Sequence, residues 1–581
     1  MAEAVKKGGW MYNHLRRCRP LVSDCGEESM PDRPRACFPY VLVVSLLLAG
    51  GLAVRIGLAW SAVAVTRDAA DHYLPLAQAW QEGAGGKAFA GGIPPLYPML
   101  TGCLARLIGD VETAGRAVSI AGGMLVLVFV FLLTYRLAGR WSALVGLALV
   151  AFHPYLCQHS ADVGPDSLAA GLLAGTVYAV CAYLVTFSFA YALLTAVLLA
   201  GLALTRPEGF AYAPLALGVL VFWPVQRTAD TEARGRGDKG WAAWSLRQAQ
   251  GRLCVVAGPW ASRTCGRVLC RRMVHIGLLL VLLAGLCAPR LLSVHARTGV
   301  WALDTRQRTW TARLWRALRS GEPEYGQLRI WSRGGLEAVG GTIGAAAASF
   351  GPAGLIFGGY ALLARRRLRR RRVAMVVLVF VLYGVAVVLV GNRVSKRYLL
   401  GPAAVWQVWT AIGVVLLFVR VRARLLQRGA SPARLRYMPA AAGLVIAALQ
   451  LPWVPEQLHR EFLADRRMGE WIAANLPAGT RIAAREPVPI WYGRATRVEF
   501  PLFKPSWMTP TYMALRAKEM GVRAILVGRT VNPAISGQLA QDTGVKLVFI
   551  YSGSLGEAGS GVETYLDYMR YNVQAIVDAL K

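Results

Sequence analysis

Thr66-Arg67-Asp68-Ala69-Ala70-Asp71-His72-Tyr73 follows within a few residues of a first hydrophobic span, about 39–60. Apolar runs of that length, ended by short charged loops, recur along the chain, and their recurrence decides the fold class. Of 581 residues, 55% are hydrophobic and 17% charged, which suits a polytopic membrane protein and not a soluble one. The formal charge is +33, from 65 Lys and Arg against 32 Asp and Glu. That excess lies between hydrophobic spans, where cytoplasmic loops carry it, and not on a soluble basic face, so no nucleic acid is expected as a partner.

Hydropathy divides the chain into a basic cytoplasmic tail (1–38), a transmembrane region (39–455) and a soluble C-terminal region (456–581). The expected spans are 39–60, 114–135, 141–158, 166–186, 188–205, 210–225, 273–292, 336–363, 373–391, 399–419 and 438–454, about eleven in all. Residues 71–81 suit a helix lying on the membrane surface, with Tyr73, Leu74, Ala77 and Trp80 on one face. Gly83–Gly92 reads as a flexible stretch, and Pro94-Pro95 opens an apolar helix that ends near Gly109 and is short for a span. The run from Arg365 to Arg372 and the basic loop 226–272 fall on the side of the N-terminus. The positive-inside rule then puts the N-terminus in the cytoplasm and residues after 455 in the periplasm.

Residues 456–581 change to alternating patterns: helix 457–475, strands near Arg481–Ala484 and Ile490–Tyr492, helix 510–520, strand Ala524–Val527, helix 534–542, strand Lys546–Tyr551 and helix 563–579. The expected architecture is therefore an all-α membrane bundle with a small C-terminal α/β region. Its glycines form no GxGxxG fingerprint, so no nucleotide is inferred. The ten cysteines lack metal spacing, read as free thiols, and stop at Cys287. No cleavable signal peptide is expected in the polar N-terminal tail.

The polar outliers cluster on the loops assigned to the outer side. Asp68 and Asp71 can be solvated loop acids or functional carboxylates at the membrane mouth. Asp162 and Asp166 stand at the end of another span, where Asp166, beside Pro165, is equally a helix N-terminal acid. Arg206 and Glu208, in Thr205-Arg206-Pro207-Glu208-Gly209, interrupt two apolar spans as a structural ion pair or as cavity lining. Lys396, Arg397 and Tyr398 lie in a loop that is basic against the charge rule. An anionic headgroup explains that; a snorkelling Lys396 is the plainer account. Loop 293–335 adds His295, Arg297, Arg306 and Arg308 with Trp301, Trp310, Trp315 and Trp331, which suit a headgroup surface or, for most of the tryptophans, an interfacial belt.

A carboxylate can take the proton of an acceptor hydroxyl, and arginines can stabilise charge on a departing phosphate. Glycosyl transfer from a polyprenyl-phosphate sugar needs both at a lipid surface. The phosphate leaves without a separate acid, the anomeric carbon passes through an oxocarbenium-like state, and direct displacement inverts it. These loops hold no Asp-x-Asp, so no metal ion or other cofactor is inferred.

These residues resemble the GT-C membrane glycosyltransferases, in particular the bacterial branch related to protein O-mannosyltransferases and the lipid A aminoarabinose transferase. The matching pieces are Arg67-Asp68 with Tyr73-Leu74, Pro94-Pro95-Leu96-Tyr97-Pro98, Gly115-Arg116-x-x-Ser119 and His153-Pro154-Tyr155. Ser160-Ala161-Asp162 with Asp166-Ser167-Leu168, Thr205-Arg206-Pro207-Glu208-Gly209, Thr298-Gly299-x-Trp301 and Arg397-Tyr398-Leu399 complete a match over about 40–420. The resemblance implies a catalytic base at Asp68, and lipid-phosphate contacts from Arg397 and Arg206. The family pattern has a second acid or glycine after the base and a tyrosine four residues on; here Ala69 follows and Tyr73 is five on, so Asp68 and Asp71 both stand as candidates. The expected enzyme works in the inner membrane, takes a polyprenyl-phosphate-linked sugar, and serves a lipid, glycan or protein acceptor of the cell envelope. A flippase for polyprenyl-linked glycans would show inverted repeats, and none stands out. A non-catalytic scaffold would not need acids and arginines converging on one face.

Overall fold

The computed structural model describes residues 38–223, 263–303, 333–390, 396–431, 435, 438–498 and 524–580, apart from a few short stretches within them. The chain is mostly helical. Helix α1 is Phe38–Ser61, α2 Val111–Ala138, α3 Arg140–Ala151, α4 Pro154–Ala161, α5 Asp166–Thr186, α6 Phe189–Thr205 and α7 Leu400–Gln427. Among the described residues six helices are long and apolar enough to cross a membrane, or eight spans if two bent helix pairs are each counted as one. The remaining three of the eleven expected spans fall on apolar helices of 10–17 residues. Leu96–Ile108 is likewise short, as its sequence suggested.

Two expected spans are not continuous. Segment 141–158 is α3 followed by α4 at 55°, and segment 336–363 breaks by 91° between Phe350 and Pro352. Each break comes at a proline on the first turn of the second helix, Pro154 and Pro352, with Gly351 at φ +73° in the second. A broken helix leaves carbonyls without partners in an apolar setting. At the first break Arg55, fully buried on α1, donates to Ala151 O at 2.9 Å and Val150 O at 3.2 Å, and to Gly51 O of its own helix at 2.8 Å. The cation thus satisfies the backbone that Pro154 disrupts.

The core of the bundle is α2 against α5, with α7 packed across both. Gly122 and Gly171 let the backbones approach: a Cβ at Gly122 would sit 2.5 Å from the Leu168 backbone, and one at Gly171 would sit 2.6 Å from Gly122 O. Part of the apolar face expected over residues 71–81 is packed on protein. Leu74 and Ala77 are buried, and helix Leu74–Gln81 packs on Leu96–Ile108. Within the glycine-rich stretch, Gly85–Phe89 forms a helical turn.

The C-terminal region carries a four-stranded parallel sheet of β1 (Arg481–Ala483), β2 (Thr496–Val498), β3 (Ala524–Gly528) and β4 (Lys546–Ile550), ordered β2-β1-β3-β4. Helix α8 (Leu463–Asn475) packs Ile472 against Ile482 and Ile490, while α10 (Tyr565–Leu580) packs Ile576 against Ala524 and Val548. Between α8 and α10 lies α9, Pro487–Tyr492. The expected strand at Ile490–Tyr492 is this short helix. Pro487 sets its first turn, and Pro487 through Ile490 are all buried, so the segment has no alternation to read. The expected helix 510–520 and most of 534–542 lie outside the described residues, as do Asn392, Arg393, Arg306 and Arg308. Cys103, Cys157, Cys181, Cys270 and Cys287 are free thiols.

Candidate active site

Four chain breaks meet at one end of the bundle and enclose a cavity of about 460 Å³. The first is the segment after α1, where an irregular stretch leads into a π-helical turn, Ala69–Tyr73. The second is the loop between α4 and α5, held by residues from two of the resemblance motifs. Tyr97 Oη lies 2.9 Å from Gly115 O and 3.0 Å from Ser119 Oγ, which in turn lies 3.0 Å from Gly164 O. The third is the end of α6, where Arg206 turns extended and Pro207 starts a 3-10 turn. The fourth is Lys396–Leu399, a 3-10 turn leading into α7.

Of the site residues expected from sequence, Asp68, Asp162, Asp166, Arg206, Glu208, Arg397 and Tyr398 line this cavity. Asp71 and Lys396 do not. A π turn advances less per residue than an α turn, so three residues do not bring Asp71 back to the face of Asp68. Asp71 instead pairs with Arg497 of β2. Lys396 is exposed and sits over the Tyr155 ring, 5.2 Å from its centroid.

Arg397 and Arg206 are held by acids of the cavity. Arg397 pairs with Asp68, and their side chains remain 39% and 43% exposed. Arg206 pairs with Asp166, at 14% and 13% exposure, and reaches Glu208 at 3.3 Å. Tyr398 lies between the two guanidinium groups, at 4.7 Å from Arg206 and 5.2 Å from Arg397. An exposed ion pair is worth at most about 1 kcal/mol, whereas removing one partner of a buried pair costs roughly 3–5 kcal/mol. The first pair can therefore open for a ligand; the second braces the wall. Beside these charges runs an apolar groove lined by Ala169, Leu173, Leu202, Val387 and Val388.

Sequence reading missed His459, Glu461 and Phe462, which close the cavity from the C-terminal side. His459 Nε2 is 3.0 Å from Asp162 and Nδ1 is 3.7 Å from Glu461. Burial works against its charge, but the two acids outweigh that and raise its pKa above 6.5. Its backbone is left-handed, φ +59°, an uncommon choice for a non-glycine residue. His159 also lines the cavity, 3.8 Å from Asp166. A histidine in a connecting loop carries no periodic signal, so only coordinates reveal its partners. Among the described residues, no three His, Cys, Asp or Glu side chains gather to hold a metal.

Comparison with known proteins divides along the chain. Residues 93–233 match the family model described as dolichyl-phosphate-mannose-protein mannosyltransferase. Residues 504–579 match the model described as zinc-uptake complex component A, periplasmic. The chain is 38% identical over 64 residues to the manganese-binding lipoprotein MntA of Halalkalibacterium halodurans; it spans about a fifth of that protein's length, and the match takes in 11% of this chain. The whole fold is similar to ArnT from Cupriavidus metallidurans. The crystal structure bound to undecaprenyl phosphate gives a TM-score of 0.51 at 14% identity, covering 84% of this chain and 90% of that one. The apo structure gives 0.52 at 14%, covering 89% and 93%. With its apolar helices and this architecture, the chain is a multi-pass membrane protein with the fold of the GT-C superfamily of membrane glycosyltransferases.

Proposed function

We propose that the chain is an inverting glycosyltransferase that takes a sugar from a polyprenyl-phosphate donor and passes it to a lipid, glycan or protein acceptor on the periplasmic side of the inner membrane. The observation that carries this reading is the Asp68–Arg397 pair at an open cavity, next to an apolar groove. The ArnT neighbour's bound undecaprenyl phosphate supports a lipid-phosphate donor, and the basic loops 226–272 and 365–372 support the orientation.

In the resting protein Asp68 is engaged by Arg397. The donor phosphate competes for Arg397, with Lys396 adding a point charge, and the polyprenyl chain follows the apolar groove. Asp68 is then free to accept the acceptor's hydroxyl proton. The acceptor oxygen attacks the anomeric carbon, the bond from that carbon to the phosphate oxygen breaks, and its electron pair leaves on the phosphate. Arg397 and Arg206 stabilise the charge that develops there. Asp162, Asp166 and Glu208 hold the wall and its cations in register.

The test is transfer by purified protein in lipid from a panel of radiolabelled polyprenyl-phosphate sugars, with wild type beside Asp68→Asn and Arg397→Ala. Transfer by wild type, lost in the first variant and weakened in the second, is the expected result. A wild type that transfers nothing, with a broad acceptor extract and a working control enzyme, overturns the reading.

A further inference from the structure

The segment that presents Asp68 is neither helix nor strand between Ala62 and Thr66, so its backbone must find partners elsewhere. It finds several in the C-terminal region. Val63 N donates to Leu458 O at 3.1 Å, and Val63 O accepts from Arg466 of α8 at 2.8 Å. Val65 N donates to the Tyr492 hydroxyl of α9 at 3.1 Å, and that hydroxyl donates to Glu112 of α2 at 3.2 Å. Arg67 pairs with Glu486 at 2.7 Å, and Asp71 pairs with Arg497. The contacts fall on both sides of Asp68, which lines the cavity and pairs with Arg397.

We infer that the C-terminal α/β region is a clamp that holds the segment Val63–Asp71 in its working position, with Asp71 and Arg497 as positioning residues and not as the base. The inference rests on the proposed role of Asp68 but not on the identity of sugar or acceptor. Two features make it more than surface packing. Val65 is fully buried, although its segment has no regular structure, and its N–H is taken up by Tyr492 of α9. Tyr492 ties three elements at one atom: the base segment, α2 and its own region. Burial and the Glu112 carboxylate both push the Tyr492 phenol pKa up, so it stays a neutral donor. A clamp of this kind places the carboxylate within the fraction of an ångström that proton transfer requires, and loss of such placement costs on the order of 10²-fold in rate.

The experiment compares wild type, Arg497→Asp, Asp71→Arg, the Asp71→Arg/Arg497→Asp exchange, and Tyr492→Phe, all as full chains in lipid nanodiscs. Amide hydrogen exchange over 62–72 and binding of undecaprenyl phosphate are read beside transfer. Expected are faster exchange of 62–72 in both single charge variants and in Tyr492→Phe, kcat lower on the order of 10²-fold in the charge variants, and undecaprenyl phosphate binding unchanged. The double exchange restores both protection and rate in part. Unaltered exchange of 62–72 in Arg497→Asp and Tyr492→Phe overturns the clamp. If wild type transfers no sugar while the segment is protected through Arg497, the glycosyltransferase reading falls and the clamp stands.

Discussion

Arg55 and Arg290 on one side, and Arg206 and Arg397 on the other, are engaged by different partners. Arg55 and Arg290 are fully buried and bond main-chain carbonyls: Val150 and Ala151 for the first, Ile93 and Leu303 for the second. Arg206 and Arg397 bond carboxylates in the cavity. A carbonyl in a broken helix or loop has no better donor within reach, so that contact is permanent. A carboxylate and a phosphate both accept two parallel N–H bonds from a guanidinium, so the exposed Arg397 can be handed from Asp68 to a phosphate, while the buried Arg206–Asp166 pair stays closed. The same side chain is scaffold in one setting and ligand contact in the next, and the partner decides which.

The comparison breaks most visibly at Asp68. Asp68→Asn keeps the shape and removes the charge, so the transfer rate should fall about 10²–10⁴-fold. The melting temperature should hardly move, because the exposed pair contributes at most about 1 kcal/mol. A single-turnover assay beside a thermal melt tests both halves, and a fully active Asn variant would sink the assignment. Arg55→Met makes the opposite prediction. It strips the carbonyls at the α3–α4 break of their donor and should cost about 3 kcal/mol of stability, measured by steric trapping or detergent unfolding. The protein that remains folded should keep its transfer rate.

Arg397→Ala should lower kcat/KM on the order of tenfold to 10²-fold, with Arg397→Lys recovering part of the loss through its point charge. Steady-state kinetics against donor concentration resolve this, and an Ala variant indistinguishable from wild type would remove Arg397 from phosphate binding. The smallest effect is at His459. Its pKa is raised above 6.5 by Asp162 and Glu461, so its contribution to stability is complete below 6.5 and is lost as pH rises through the raised value. Thermal melts across that range should show the decline in wild type and a flat profile in His459→Gln.

Much of this was legible in the sequence, for a physical reason. Ionisable groups at span ends are rare, so Asp68, Asp166, Arg206, Glu208 and Arg397 stand out against apolar neighbours without knowledge of their contacts. Hydropathy locates apolar segments but is blind to their direction, and both bent pairs were therefore read as straight. Pro154 and Gly351-Pro352 were the available signals. Nothing local to the sequence separates Asp68 from Asp71 as the base; the fold turns Asp71 to Arg497 and leaves Asp68 lining the cavity. Arg497 and Tyr492 lie more than 300 residues from the segments they touch, and His459 lies nearly as far from Asp162; no local pattern records such pairings.

Arg55 also bears on how the chain enters the membrane. It belongs to the first apolar helix, and the Ala151 carbonyl it binds is made 96 residues later. Until then the nascent helix carries an unneutralised cation, which near the middle of a bilayer costs up to about 3 kcal/mol. The many apolar residues of α1 outweigh that cost, so the helix can enter with its cation, and Arg55 gains its remaining carbonyl partners when α3 and α4 arrive.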